Sequence, residues 1–155
     1  MSSAEQTGGK SYVLLQIGER RFAMPAENVS ELAPPVRLHE FPHTAPLVAG
    51  VIVRRGRIVP VYDVSSVLTG KRSSAHRFYL IARRNFGAVS EPSAIPVSGE
   101  CELATAEIEA PSADGPDYIS GSLMIGEERI EVLDMEALVT SRPMDANDAA
   151  GREAQ

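Results

Sequence analysis

Three arginines and a glycine sit between two apolar runs in GVIVRRGRIVPVYDV, Gly50 to Val64. Guanidinium groups this close in sequence can grip a phosphate, follow a nucleic-acid backbone or pair with carboxylates. The same layout returns at GSLMIGEERIEVLDM, Gly121 to Met135, where Glu127 and Glu128 take the place of the arginine cluster. One segment offers positive charge at its turn, and its echo offers negative charge.

The other residues that carry chemistry do not converge. His39 and His43 stand four apart in LHEFPHTAP, but Pro42 and Pro46 break the helix that would present both to a metal. They read as surface-loop histidines, as does His76. The single cysteine, Cys101, lies between Glu100 and Glu102. Those acids raise a thiol pKa and leave it inert. Asp63 and Asp134 match in the two echoes, and each reads as a structural helix cap before it reads as half of a catalytic carboxylate pair. The glycine loops lack the GxGxxG and GxxxxGK[ST] spacings that cradle phosphate. No serine, histidine and aspartate share a local signature of nucleophilic catalysis. The reading is a chain with no catalytic residues, no cofactor and no metal site, acting by presenting surfaces. The opposing class, an enzyme or ligand-binding barrel, would gather His39, Glu40 and His43 around a pocket.

Composition narrows the partners. The chain has 155 residues, 43% hydrophobic and 23% charged, which suits one domain or two very small ones sharing a core. A net charge of −6 argues against bulk nucleic-acid binding, which needs many Lys and Arg contacts. No apolar run approaches the roughly 20 residues that span a bilayer. The first residues, MSSAEQTGGK, lack the apolar core of a secretory signal. A cytoplasmic protein without direct membrane insertion is the simplest reading.

The elements that must position the charged turns are strands. Short apolar runs rich in β-branched and aromatic residues recur at Tyr12–Ile17, Gly50–Val53, Arg57–Tyr62, Arg77–Ala82, Ser122–Ile125 and Arg129–Leu133. Glycine-bearing loops join several of them, at IGERRF, RRGR, RRNFG and IGEER, each suited to a hairpin loop of 3–5 residues. Pro60 inside a strand run predicts an edge or a bulge. Helical material is sparse. PAENVSEL, Pro25 to Leu32, has helical spacing and a tolerated first-turn proline. DVSSVL and DMEALV read as short helices capped by Asp63 and Asp134, the first stopped at Gly70. Residues 1–10 and 143–155 read as flexible tails.

Aligning the echoes sets Gly50 against Gly121, Ile52 against Leu123, Val61 against Val132 and Asp63 against Asp134. A weaker echo relates RRFAMPAENVSEL to NFGAVSEPSAI. The predicted fold is all-β: two pseudo-symmetric five-stranded barrels around a shared core, with short helical turns, in a single domain over 11–142. The first half covers about 20–75 and the second about 76–141. Gly50, Gly56, Pro60, Asp63, Gly121 and Asp134 are its structural turn and cap residues.

Within the first half, alternation puts Arg54 and Arg55 on opposite faces, so one turns towards its neighbour and needs a carboxylate. Glu27 and Glu31, on the preceding helical turn, are the nearest candidates. Such a pair would brace the turn and leave Val29 and Val53 as an apolar surface beside it.

These residues resemble a known family. YVLLQIGERRFAMPAENVSEL, PLVAGVIVRRGRIVPVYDVSSVL and PDYISGSLMIGEERIEVLDMEAL look like the CheW-like domain of bacterial chemotaxis, over about Ser11 to Thr140. Gly50, Val51, Arg55, Gly56, Pro60, Val61 and Asp63 match its G-V-x-x-x-R-G-x-x-x-P-V-x-D segment, and Tyr118, Gly121, Leu133, Asp134 and Leu138 match its closing part. Val29, Glu31 and Leu32 match its short first helix. The resemblance implies two five-stranded barrels and a non-catalytic adaptor. That adaptor would link the regulatory domain of a CheA-type histidine kinase to the cytoplasmic tip of methyl-accepting chemoreceptors, with the receptor's helix hairpin docked between the barrels. Carried over by position, Val29, Glu31 and Arg55 line or support that groove, flanked by Leu32, Val53 and Arg54, with Glu31 and Arg55 paired. Val53 and Arg54 replace the family's usual Asn-Leu, and the second-half kinase segment is blurred between Val89–Pro92 and Ile95–Val97. Adaptors of twitching motility or other non-flagellar systems, and a solitary regulator without a classical receptor, share the same resemblance.

Overall fold

The computed structural model describes residues 9–71, 78–86 and 88–141, without the side chains of residues 85 and 86. His76, the boundary between the two expected halves, and all but Gly9 and Lys10 of the expected tails lie outside the described residues. Lys10 itself belongs to the first strand, β1 (Lys10–Ile17), where it pairs with Ala106.

Two five-stranded sheets account for the ten described strands. The first sheet has the order β8-β1-β2-β10-β9 and the second β3-β6-β7-β5-β4. The strands are β2 (Arg20–Pro25), β3 (Val29–Ala33), β4 (Val48–Arg54), β5 (Arg57–Tyr62), β6 (Phe78–Phe86), β7 (Val89–Val97), β8 (Glu102–Ala106), β9 (Ile119–Ile125) and β10 (Glu128–Leu133). Read position by position, the two orders match in pairing sense: in each, only the third and fourth strands run parallel, β2 with β10 and β7 with β5. The Gly50–Gly121 echo falls on equivalent strands, β4–β5 and β9–β10, whereas the weaker echo sets β2 and β3 against the end of β6 and β7, of which only β2 and β7 hold equivalent places. The sheets do not follow the sequence halves, however. The second sheet is contiguous from β3 to β7, and the first is assembled from both ends of the chain.

Each sheet curls and closes through one bridge. His39, beyond β3, exchanges backbone hydrogen bonds with Val51 at 2.8 and 2.9 Å. Glu109, beyond β8, does the same with Ser122 at 2.8 and 3.0 Å. These crossings explain Gly50 and Gly121. Both lie inside strands, β4 and β9, rather than in turns as expected. A Cβ on Gly50 would meet the His39 carbonyl oxygen at 2.5 Å, and one on Gly121 would meet that of Glu109 at 2.4 Å.

Three cores result. Tyr12, Leu14, Ala23, Leu123, Ile130 and Val132 fill the first barrel. Ala33, Ile52, Val59, Val61, Tyr79, Ile81 and Ala94 fill the second. Between them lies a larger shared core that includes Val13, Leu15, Phe22, Met24, Leu80, Ile95 and Leu138. Strand β1 therefore buries both faces, Tyr12 and Leu14 inwards and Val13 and Leu15 outwards, which is why the run YVLL is continuously apolar rather than alternating.

The hairpins are tighter than expected, with two-residue loops. Gly18 and Gly126 lead the β1–β2 and β9–β10 turns with φ of 63° each. At the β4–β5 turn Arg55 and Gly56 take φ of 53° and 75°, the signature of a type I′ turn, whose twist matches that of the strands it joins. Pro60 lies in β5, between β7 and β4, so it marks no edge, and the β4–β5 register shifts one step beyond it, between the Gly50–Val61 and Val48–Tyr62 pairs. The parallel ladder to β7 has a single partnered residue, Val61 with Ala94, and does not need the missing N–H.

The helix expected over Pro25–Leu32 shrinks to a 3-10 turn at Ala26–Asn28, and Val29, Glu31 and Leu32 stand on β3. Extended pairing with β6 wins over weak helical spacing in a segment too short to nucleate a helix alone. Helix α1 (Ser65–Thr69) follows β5 and ends at Gly70, whose φ is 76°. It begins one residue later than expected: Val64 is its N-cap, and Asp63 instead accepts hydrogen bonds from the Ser65 N–H at 3.1 Å and its hydroxyl at 2.6 Å. Helix α2 (Met135–Val139) follows β10 and is capped as expected, Asp134 accepting from the Ala137 N–H at 3.3 Å. Each helix crosses to the other sheet, α1 onto β1 and α2 onto β6.

Candidate functional site

Alternation builds an ion cluster at one mouth of the second barrel. Ala33 faces the barrel interior, so Glu31 on the same strand faces it too, opposite Ile81. Ile52 places Arg54 on the interior side of β4, and Val59 and Ile81 place Arg57 and Arg83 on the interior sides of β5 and β6. Past the last buried residue these side chains meet solvent, and there Glu31 collects its partners. Its Oε1 accepts from Arg54 Nη2 at 2.8 Å and Arg54 Nε at 3.1 Å. Its Oε2 accepts from Arg55 Nε at 3.1 Å. The Arg54 hydrogen bonds first, then that of Arg55, hold the Glu31 carboxyl below its ordinary value of 4.5.

The expected Glu31–Arg55 pair is therefore present, but Arg54 is the closer partner. Only 26% of the Arg54 side chain is exposed, against 74% for Arg55. Glu27 makes none of these bonds. The expected apolar residues separate. Val29 and Leu32 pack against the shared core. Val53 lies on the opposite face of β4 from Arg54 and is exposed, directly across from the more exposed Ile58, a residue that sequence reading passed over.

The first barrel carries the inverse cluster. Arg21 shares a face with Ala23, Glu128 with Ile130, and Glu102 stands opposite Leu14. Arg21 donates to Glu128 Oε1 and, at 3.0 Å, to Glu102 Oε2. One base between two acids here replaces one acid between two bases there. Interior alternation extended by one step beyond each core residue marks Glu31, Arg54, Arg21 and Glu128 as barrel-facing in the sequence, while strand pairing decides which of them meet.

A third ionic contact ties the shared core together. Arg84, nearly buried on β6, donates to the Tyr62 hydroxyl at 2.7 Å, and its Nε lies 3.6 Å from Glu136 Oε1 on α2. On the other side of the molecule Arg20 donates to the Leu68 carbonyl of α1 at 2.7 Å and pairs with Glu131 at 2.8 Å. Both arginines hold a crossing helix in place.

Nothing comparable surrounds His39 or His43 among the described residues. His39 serves through its backbone, and the His43 ring rests 4.9 Å from that of Phe41. Among the described residues no group of three or more His, Cys, Asp or Glu is placed to hold a metal. The Cys101 thiol is pushed up to about 11, as expected in direction, but by burial rather than by its acidic neighbours. No described helix is long and apolar enough to cross a membrane.

The family model for the CheW-like domain matches residues 11–142. Among solved structures, the crystal structure of scaffolding protein TtCheW from Thermoanaerobacter tengcongensis superposes with a TM-score of 0.72 at 22% identity, covering 88% of this chain and 97% of that one. No curated protein matches the chain significantly.

Proposed function

The chain belongs to the CheW-like domain family, and from that membership we propose that it is a non-catalytic cytoplasmic adaptor of chemotaxis signalling. In this reading it couples the cytoplasmic tip of chemoreceptors to the regulatory domain of a CheA-type histidine kinase. The observation that carries the reading is the Glu31–Arg54–Arg55 cluster: the family-matched Glu31 and Arg55 converge at one barrel mouth with Arg54, and the outer face of the same hairpin exposes Val53 and Ile58. A rigid charged rim next to apolar surface is what a protein partner recognises, and it provides no acid–base pair or cofactor cradle. The functional unit is the domain over 11–142, its two pseudo-symmetric barrels supplying separate surfaces to the two partners.

The test uses purified components from the native host: the full chain, a receptor cytoplasmic fragment and the kinase regulatory domain, titrated pairwise by calorimetry. Binding to both, and receptor control of kinase autophosphorylation only when the chain is present, is the expected result. Binding to neither partner overturns the reading. Binding to a kinase without receptor coupling would replace it with the solitary regulator.

A further inference from the structure

A cavity of about 190 Å³ lies on the outer face of the β9–β10 hairpin, beneath the loop 110–116. Ser122, Arg129 and Glu131 line it together with apolar walls from Pro111, Pro116 and Ile119. The volume slightly exceeds the roughly 150 Å³ that takes a benzene ring, so it suits a ligand of about six to eight non-hydrogen atoms.

The echo that sets Gly50 against Gly121 supplies an internal comparison. It sets Val51 against Ser122, Ile58 against Arg129 and Pro60 against Glu131. Val51 and Ser122 hold the same place in the fold, each bridged through its backbone to the segment that closes its barrel. The second barrel closes with apolar residues at all three places, so the backbone plan does not call for polar ones. Three polar replacements gathered in one cavity point to a ligand rather than to the fold.

Ser122 is the least expected of them. It is 4% exposed, and its Oγ has no hydrogen-bond partner among the described residues. A buried hydroxyl left in that state destabilises a fold. Both its backbone groups are taken by Glu109, so across the ladder it faces Glu131 as a non-hydrogen-bonded pair, the arrangement that brings two side chains closest. Glu131 gives Oε1 to Arg20 at 2.8 Å and keeps Oε2. Arg129 follows on the same outward face of β10 and makes no ion pair among the described residues. The cavity thus offers one guanidinium, one carboxylate oxygen and one hydroxyl beside a short apolar wall.

We propose that this cavity binds a free α-amino acid with a small side chain. Arg129 takes the carboxylate through its planar fork, Glu131 Oε2 accepts from the ammonium, the Ser122 hydroxyl donates to the carboxylate, and the side chain rests on Pro111, Pro116 and Ile119. The two prolines stiffen the loop, so the site is formed before the ligand arrives. A phosphate fits less well, because Glu131 repels its second charge, and a simple carboxylate leaves Glu131 unused. The inference concerns the first barrel alone and does not depend on the adaptor reading.

The test titrates the full chain with L-serine, L-alanine, acetate, ethylamine and inorganic phosphate, following backbone amide shifts by NMR at constant pH and ionic strength. The proteins are wild type, Ser122→Ala, Arg129→Gln and the double variant Ser122→Val with Arg129→Ile, which copies the second barrel. The two amino acids should saturate wild type in the millimolar range, about 1 mM for a ligand this small, with shifts centred on Ser122, Arg129 and the loop. Acetate and ethylamine, each offering one charge, should bind about tenfold more weakly. Ser122→Ala should weaken amino-acid binding about tenfold, and Arg129→Gln and the double variant by more. Ser122→Ala should nevertheless melt at or above the wild-type temperature, since it removes an unpartnered hydroxyl, which separates lost binding from lost folding. Acetate or phosphate binding as tightly as the amino acids overturns the choice of ligand. Amino-acid binding that survives Ser122→Ala and Arg129→Gln, or no saturable binding of any probe, overturns the site and leaves the adaptor reading standing.

Discussion

The His39 carbonyl crosses Gly50 so closely that a Cβ there would lie 2.5 Å from its oxygen, and the Glu109 carbonyl stands in the same relation to Gly121 at 2.4 Å. Both barrels close by passing a backbone over a glycine. Gly50→Ala and Gly121→Ala should each destabilise the fold by about 3 kcal/mol, since real Cβ atoms do not tolerate such a contact and backbone must move. Gly56→Ala, with positive φ but open space, should cost about 1 kcal/mol. Urea midpoints of the three variants check the ranking, and a Gly56 variant as damaged as the other two would contradict it.

Glu31 makes stability depend on pH. Its folded pKa lies below the ordinary 4.5, because Arg54 and Arg55 bond the carboxylate form. The contribution is therefore complete above 4.5 and is lost as pH falls through the folded value. Wild type should be more stable than Glu31→Gln at neutrality, and the gap should shrink in acid. Denaturant titrations of both proteins across that range test this, and a gap that stays constant argues against the pairing.

Asp134 and Asp63 serve short helices by different routes. Asp134→Ala removes a side-chain N-cap and should cost about 1 kcal/mol. Asp63→Ala removes two hydrogen bonds to Ser65 and should cost a similar amount, about 1 kcal/mol. Asparagine at either position should recover most of the loss, as an amide oxygen accepts equally well. Thermal melts of the four variants suffice.

The two sheets should unfold together. Because α1 packs on β1 and α2 on β6, neither barrel can open without releasing a helix from the other. Leu138→Ala, in the shared core, should cost about 3 kcal/mol and leave one transition. Calorimetric and van't Hoff enthalpies should agree in both proteins. A second resolved transition would show that the crossing helices do not couple the sheets.

Much of this architecture could be read from residues. Continuous apolar runs, hairpin glycines and the Gly50–Gly121 echo led to two related five-stranded units around a shared core. The stretch around Glu31 was misread because Val29 and Leu32 satisfy helical spacing and strand burial equally. Only the pairing with β6, a tertiary fact, decides between them. Arg54 was recognised as a departure, but its claim on Glu31 depends on which face of β4 continues the barrel interior. The Arg21–Glu102–Glu128 cluster was missed altogether, since it joins residues from three strands that lie far apart along the chain.

The inverted clusters carry a consequence for recognition at a distance. Exchanging the two barrels restores the backbone plan while reversing the sign of charge at each mouth. A partner sensing outline alone would find two orientations of similar fit. Long-range fields act before contact and outlast it at low salt, so they would discard one orientation during the encounter itself. The duplication supplies shape twice over, and the inversion of charge tells an approaching partner which copy it has met.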